Sequence, residues 1–334
     1  MALLEVENLH VEFNTFGGTV KAVRGVGFNV DEGETLAIVG ESGCGKSVSV
    51  QSLMGLIPNP PGRITRGSVK YRGHEIIGNP SINGQEIRGT EIAMIFQDPM
   101  SSLNPTMTIG SQISETLQFH NGLSKKQSLI RAVELLTMMQ IPDATRRAKQ
   151  YPFEFSGGML QRSMIAMALA CDPSILIADE PTTALDVTIQ SQILELLKNL
   201  QAHNNMAIVL ITHDLGVVAR MADQVAVMYA GEIIEQGSSD EIFYQSAHPY
   251  TVGLRSAMPT NTRKITGRLE PIQGGPPDLY SPPPGCGYFA RCPHAMDACE
   301  KVKPEPFNMS NTHYSKCWLQ HNDCPQVVKG IYKP

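Results

Sequence analysis

The sequence predicts an α/β fold organised around a phosphate-binding loop, and three observations carry that prediction. The stretch Gly40-Glu41-Ser42-Gly43-Cys44-Gly45-Lys46-Ser47 matches the pattern G-x-x-x-x-G-K-[ST] without a mismatch. It lies between an apolar run, Glu34 to Val39, and a helix-compatible run, Val48 to Leu56, the strand–loop–helix context that the pattern requires. A second apolar run, Ser174-Ile-Leu-Ile-Ala-Asp179-Glu180, ends in two carboxylates far downstream. In such a loop, glycines let the chain curl until successive N–H groups point at phosphate oxygens, and the helix N-terminus adds partial positive charge. Lys46 would neutralise the β- and γ-phosphates and Ser47 would hold Mg²⁺.

Composition sets the outer limits. The chain has 334 residues, enough for a core domain with additions, and its 42% apolar and 18% charged content suits a globular protein. The 27 basic against 32 acidic residues leave a net charge of −5, which does not indicate a polyanion-binding role, so no nucleic-acid partner is expected. Apolar stretches such as Met164 to Ala170 fall far short of the ~20 residues of a membrane span, and the N-terminus lacks a basic segment followed by an apolar one. Five of seven cysteines crowd the last fifth of the chain, a pattern that favours metal over disulfides in a reducing compartment.

In chain order, residues 3 to 13 and Val20 to Val30 read as two strands joined by a turn at Phe13-Asn-Thr-Phe-Gly-Gly. Residues 58 to 90 read as a β-rich excursion, with a strand signal at Gly67 to Arg72. Glu91 to Phe96 is an apolar strand ending at Gln97, which can reach a metal or a water. From Pro105 to about Tyr151 a helical lobe follows. Ser156-Gly157-Gly158 precedes a helix read as Leu160 to Cys171, with Ser156 as its cap and a second anion-binding helix start. Buried strand residues would fix Asp179 to orient the Mg²⁺ shell, and Glu180 would polarise an attacking water. Asp186 can cap a helix with apolar positions at Ile189, Ile193, Leu196, Leu197 and Leu200, and Ala207 to Ile211 is a further strand, finished by Thr212-His213.

The succession of phosphate loop, strand-terminal Gln97, Ser156-Gly157-Gly158, Asp179-Glu180, Asp186 and His213 resembles the ATP-binding subunits of ABC transporters over residues 3 to 240. The family's usual Leu-Ser-Gly-Gly-Gln reads here Phe155-Ser-Gly-Gly-Met159, which keeps the phosphate-contacting centre and changes both flanks. The resemblance implies an ABC-type P-loop NTPase core with a β-rich N-terminal subdomain, an α-helical subdomain at about 98–170 and a cysteine-rich C-terminal extension. Residues 1–245 would form the ATPase domain and 246–334 the extension. It further implies Phe13 as the residue stacking on adenine, with Phe16 as a weaker alternative, and places Gly40, Ser42, Gly43, Cys44, Gly45, Lys46, Ser47 and Val48 around ATP. Gln97 would contact Mg²⁺ and couple to membrane subunits, Glu180 would be the catalytic carboxylate, Asp186 the D-loop residue and His213 the switch histidine.

The tail narrows the resemblance. His248-Pro-Tyr-Thr-Val-Gly-Leu, Met258-Pro259 and Gly285-Cys-Gly-Tyr-Phe-Ala-Arg-Cys-Pro-His-Ala resemble the C-terminal extension of bacterial oligopeptide and dipeptide importer ATPases. Cys286, Cys292, Cys299 and Cys317 are separated by five, six and seventeen residues, and four thiolates suit a [4Fe–4S] cluster or a tetrahedral Zn²⁺. Free or disulfide-bonded thiols are the third reading; Cys324 is a spare, and His294 and His313 are alternative ligands. The resemblance favours the cluster, with a structural role. It also implies two membrane permease subunits, a second ABC ATPase (a homologous chain or another copy of this one) closing head to tail on Ser156-Gly157-Gly158, an extracytoplasmic solute-binding protein acting indirectly, and a peripheral location on the cytoplasmic face of the membrane. Competing readings are importers of nickel or other solutes, a soluble ABC ATPase of DNA repair or translation, and a nucleotide-binding scaffold without turnover.

Overall fold

The computed structural model describes residues 2–77, 87–183, 185–258 and 272–324. The chain divides into two compact units, one formed by residues 30–35 and 76–211, the other by 3–29, 36–75 and 212–334. The boundary expected at 245 falls within the second of these.

In the second unit, β1 (Leu4–Thr15), β2 (Gly18–Val30), β4 (Gly62–Tyr71) and β5 (His74–Glu75) form an antiparallel sheet in the order β2-β1-β4-β5. The β1–β2 turn is tighter than the sequence suggested: both strands run on until only Phe16 and Gly17 separate them. A second set of strands follows the order β11-β12-β10-β9-β3. Here β3 (Thr35–Val39) lies parallel to β9 (Gln224–Tyr229), β10 (Glu232–Ser238) returns antiparallel, and the short β11 (Phe307–Asn308) and β12 (Tyr314–Ser315) extend the edge. All five residues of β3 are buried, as expected of a parallel strand covered on both faces. Ala37, Val39, Val225 and Val227 pack with Tyr229, Tyr250 and Tyr288 in one core cluster, so the tail shares its core with the strand that enters the phosphate loop.

In the first unit, β6 (Ile92–Ile95), β7 (Ile175–Asp179) and β8 (Ala207–Thr212) are parallel, with Ile175 opposite Ala207 and Asp179 opposite Ile211. Every residue of β7 is buried, the burial that its Ile-Leu-Ile-Ala run predicts. The helical lobe contains helices Ile109–Asn121, Lys125–Met138 and Ala144–Arg147. Thr108 and Ser124 cap the first two through their side chains. The helix after Ser156 spans Gly157–Ala168 rather than Leu160 to Cys171. The expected start at Leu160 leaves both glycines outside the helix, whereas Ser156 accepts a hydrogen bond from the Met159 N–H and carries them into the first turn.

Among the described residues no helix is long and apolar enough to cross a membrane. Residues 272–284 contain neither helix nor strand, in keeping with their proline content.

Candidate functional site

Steric necessity shapes the phosphate loop. A Cβ on Gly40 would collide with the Met228 carbonyl oxygen, and one on Gly45, at φ +104°, with that of Ala22. Gly43 stands at φ +78° with open space around it, so it is required for backbone conformation rather than for room. The helix Lys46–Leu53 then begins directly, with the Ser49 hydroxyl donating back to the Gly45 carbonyl at 2.9 Å. Ser42 and Gly43 are exposed, Ser47 and Val48 half-buried. Lys46 is only 5% exposed, and its ammonium donates to the carbonyls of Gly40 at 2.7 Å and Glu41 at 2.9 Å, which hold it inside the curl of the loop. Cys44 is buried behind the loop, and that burial raises the pKa of its thiol.

Of the two aromatic candidates on the β1–β2 hairpin, Phe13 is half-buried and packs across the Cα of Gly62, where a Cβ would lie 2.8 Å from its ring. Phe16, at the turn, is fully exposed.

The carboxylate half of the expected site lies in the first unit. Asp179 is 3% exposed at the end of β7. Glu180 follows at φ +48°, a conformation that costs a non-glycine residue roughly 1–3 kcal/mol. Its N–H donates to the Ile211 carbonyl at 2.9 Å, and its Oε2 accepts from Gln97 Nε2 at 2.8 Å and from Thr183 Oγ1 at 2.9 Å. Two residues that the sequence placed independently are therefore in direct contact, and both are accessible, the arrangement needed to hold a carboxylate toward a water or a metal.

Ser156 and Gly157 are exposed, and Gly157 has no neighbour within 4 Å of where its Cβ would lie, so this helix start is open to an incoming group. Gly158, in contrast, faces inward against Ile189. Asp186 occupies the N-cap position of helix Val187–Asn204, but its side chain makes no capping hydrogen bond, so the expected cap is corrected to a backbone contact, Gln190 N–H to the Asp186 carbonyl at 2.8 Å. His213 is exposed just past β8, beside Asp214, which caps the following turn of helix through bonds from Gly216 and Val217.

The tail is where expectation and structure part. Cys286, Cys292, Cys299 and Cys317 border one cavity of about 10 Å³, together with His248 and His294. All seven cysteines are free thiols. The backbones close tightly there: Cys286 N–H donates to the Cys299 carbonyl at 2.7 Å, and a Cβ on Gly285 would strike the same carbonyl. Burial pushes the Cys286 and Cys292 thiols up to about 11 and Cys317 higher still. Among the described residues no group of three or more His, Cys, Asp or Glu side chains is arranged to hold a metal ion. The ligand shell expected for a cluster or zinc is therefore not formed: the donors suit a soft metal in kind, but the cavity is the size of a single water. His313 leaves the list of alternative ligands, since its Nε2 pairs with Glu235 Oε1 at 2.9 Å. Cys324 packs with Cys317, Leu319 and Met296 outside the set.

Sequence reasoning missed a group that the structure ties to the phosphate loop. Arg291 forms a two-pronged ion pair with Glu41, and Tyr250 accepts the Glu41 N–H. Nothing in the local pattern around a single arginine 250 residues away signals this.

Comparison with known proteins agrees with the geometry. Residues 23–183 match the ABC transporter family model, and residues 234–299 match that of the oligopeptide/dipeptide transporter C-terminal region. The chain is 54% identical to the dipeptide transport ATP-binding protein DppD of Bacillus subtilis, over 98% of this chain and 97% of that one. It is 55% identical to the oligopeptide transport ATP-binding protein OppD of the same organism, over 97% and 91%. Among solved structures, the ATP-binding cassette MJ0796, a dimer in a post-hydrolysis state with ADP and phosphate, superposes with a TM-score of 0.64 at 29% identity, covering 71% of this chain and 98% of that one.

Proposed function

This chain belongs to the ATP-hydrolysing, ATP-binding proteins of the ABC transporter family, and from that premise we propose that it powers a membrane importer of di- and oligopeptides. One observation carries the peptide reading: a phosphate loop and an oligopeptide/dipeptide-type C-terminal region occur together in a chain that aligns end to end with peptide-transport relatives. Relatives of that kind favour peptide over nickel as the solute, and over a role in DNA repair or translation.

We assign the work as follows. The N–H groups of the loop and Lys46 receive the ATP phosphates, and Ser47 holds Mg²⁺, its shell oriented by Asp179. Gln97, through its bond to Glu180, keeps the carboxylate turned toward the attacking water, which Glu180 polarises; His213 steadies the γ-phosphate side. Phe13 stacks on adenine, with the exposed Phe16 as the alternative. The helix start at Ser156-Gly157-Gly158, open at Ser156 and Gly157, serves a second ABC ATPase, adding a wall of N–H groups that a single phosphate loop lacks; Asp186 serves as the D-loop residue. Closure around ATP then drives two permease subunits from the cytoplasmic face of the membrane.

We also propose that Cys286, Cys292, Cys299 and Cys317 take up a [4Fe–4S] cluster, with Zn²⁺ as the alternative. Convergence of four thiols on one cavity supports this, and uptake requires the side chains to spread and deprotonate. Such a centre would close the tail; no step of hydrolysis passes through it. Iron, sulfide and zinc content of anaerobically purified protein tests it: four irons and four sulfides fit, one zinc selects the alternative, and neither removes the site.

Uptake of a labelled dipeptide by cells lacking this chain tests the transport reading. The intact gene restores uptake, and the Glu180→Gln form does not. Restoration of nickel uptake without peptide uptake would contradict it.

A further inference from the structure

Glu41, the second residue of the phosphate loop, is held at three points. Its carboxylate accepts two parallel bonds from Arg291, Nη1 to Oε2 at 2.7 Å and Nη2 to Oε1 at 2.9 Å. Its N–H donates to the Tyr250 hydroxyl at 2.9 Å. Its carbonyl is one of the two that carry the Lys46 ammonium. Whatever fixes Glu41 therefore fixes a support of the lysine that meets the phosphates.

Arg291 is itself immobilised. Its side chain is 6% exposed. Nε donates to the Gln273 carbonyl at 2.9 Å, and Nη1 also reaches the Tyr229 hydroxyl at 3.2 Å. The guanidinium lies 5.8 and 5.9 Å from the ring centres of Tyr229 and Tyr288. Tyr229, Tyr250 and Tyr288 pack against one another at 4.6, 5.3 and 5.4 Å. An exposed ion pair would contribute little. This one is bidentate, largely withdrawn from water and backed by rings, a geometry for which lysine is no substitute.

We propose that Arg291 is a positioning residue for nucleotide binding, acting through Glu41 to hold the 40–46 segment in its phosphate-accepting shape. The C-terminal region is by this reading a working part of the nucleotide site, setting its affinity, and not only an appendage that identifies the transporter type. The proposal rests on the assignment of the 40–47 loop to ATP phosphates.

The test is a double-mutant cycle in the full chain, reading the MgATP Kd by calorimetry together with steady-state ATPase kinetics. Arg291→Ala raises Kd and KM about tenfold, the scale of losing charge-assisted bonds, with kcat changed less than about twofold. Glu41→Ala has a similar effect, and the double variant is no worse than either single one, because the two side chains act as one device. Arg291→Lys, which keeps the charge and the volume, falls between parent and alanine and keeps the test open should the alanine form be unstable. Parent-like Kd in both Arg291 variants, or additive losses in the cycle, overturns the proposal. Lys46→Ala is the control for the loop assignment. Unchanged MgATP affinity there would overturn the assignment and the proposal together, whereas a lost affinity there with Arg291 variants unaffected overturns the proposal alone.

Discussion

The strand that enters the phosphate loop shares one core cluster with the C-terminal tail, yet loop and tail are specified by opposite means. In the loop, shape is local and steric: Gly40 and Gly45 sit where any side chain would strike the Met228 and Ala22 carbonyls, and eight consecutive residues suffice to announce the structure. In the tail, regular structure is sparse, and shape comes from single long-range ties. Arg291 reaches Glu41, His313 reaches Glu235, and Thr312 and Ser310 reach Glu241. The Tyr280 hydroxyl lies 3.1 Å from that of Thr15 beside the β1–β2 turn. The difference teaches that a segment with few helices or strands can still be well determined, provided that its polar groups are satisfied by residues distant in sequence.

The sharpest way to break this contrast is at the loop. Gly45→Ala forces a Cβ onto the Ala22 carbonyl at φ +104°, a strain of about 3 kcal/mol or more, which weakens MgATP binding about a hundredfold. Titration of the variant with MgATP measures it, and parent-like affinity would show that the loop is more forgiving than its packing implies.

The next effect lies in the tail. Glu235 is fully buried, and its carboxylate accepts the Ala247 and His248 N–H groups as well as His313 Nε2. Removing it in Glu235→Ala strands three buried donors and lowers unfolding stability by about 3–5 kcal/mol. Denaturant unfolding reads this directly; a loss below 1 kcal/mol would mean that the tail is not held by such ties.

The smallest effect is a pH dependence. Burial pushes the Glu241 carboxyl up, but hydrogen bonds from Ser310, Ser238 and Thr312 outweigh it and hold the group down at about 2, against an ordinary 4.5. Its contribution is complete above pH 4.5 and fades as pH falls toward 2, because the unfolded chain binds the proton first. The group is partly exposed, so the contribution is below about 1 kcal/mol. Glu241→Gln flattens the acid limb of the stability curve between those values, and an unchanged limb would assign the acid sensitivity elsewhere.

Much of the α/β core was legible because its signals are local. Burial on both faces makes β3 and β7 continuous apolar runs, and the carboxylates Asp179-Glu180 announce a strand end. What could not be read depends on meetings across the chain. The Gln97–Glu180 bond joins residues 83 positions apart, and the Arg291–Glu41 pair joins residues 250 apart. The start of the Gly157–Ala168 helix was missed because glycines are poor helix formers until a cap such as Ser156 fixes the first turn. Cysteine spacing pointed to four thiols that border one small cavity, but could not give their separation, which is set by the packing of backbones distant in sequence.

Steady-state ATP turnover of the purified Glu180→Gln chain tests most directly the proposed role of Glu180 as the catalytic carboxylate. The prediction is a fall of about a hundredfold or more in kcat with MgATP affinity retained. Turnover at the parent rate would contradict it and remove Glu180 from the reaction.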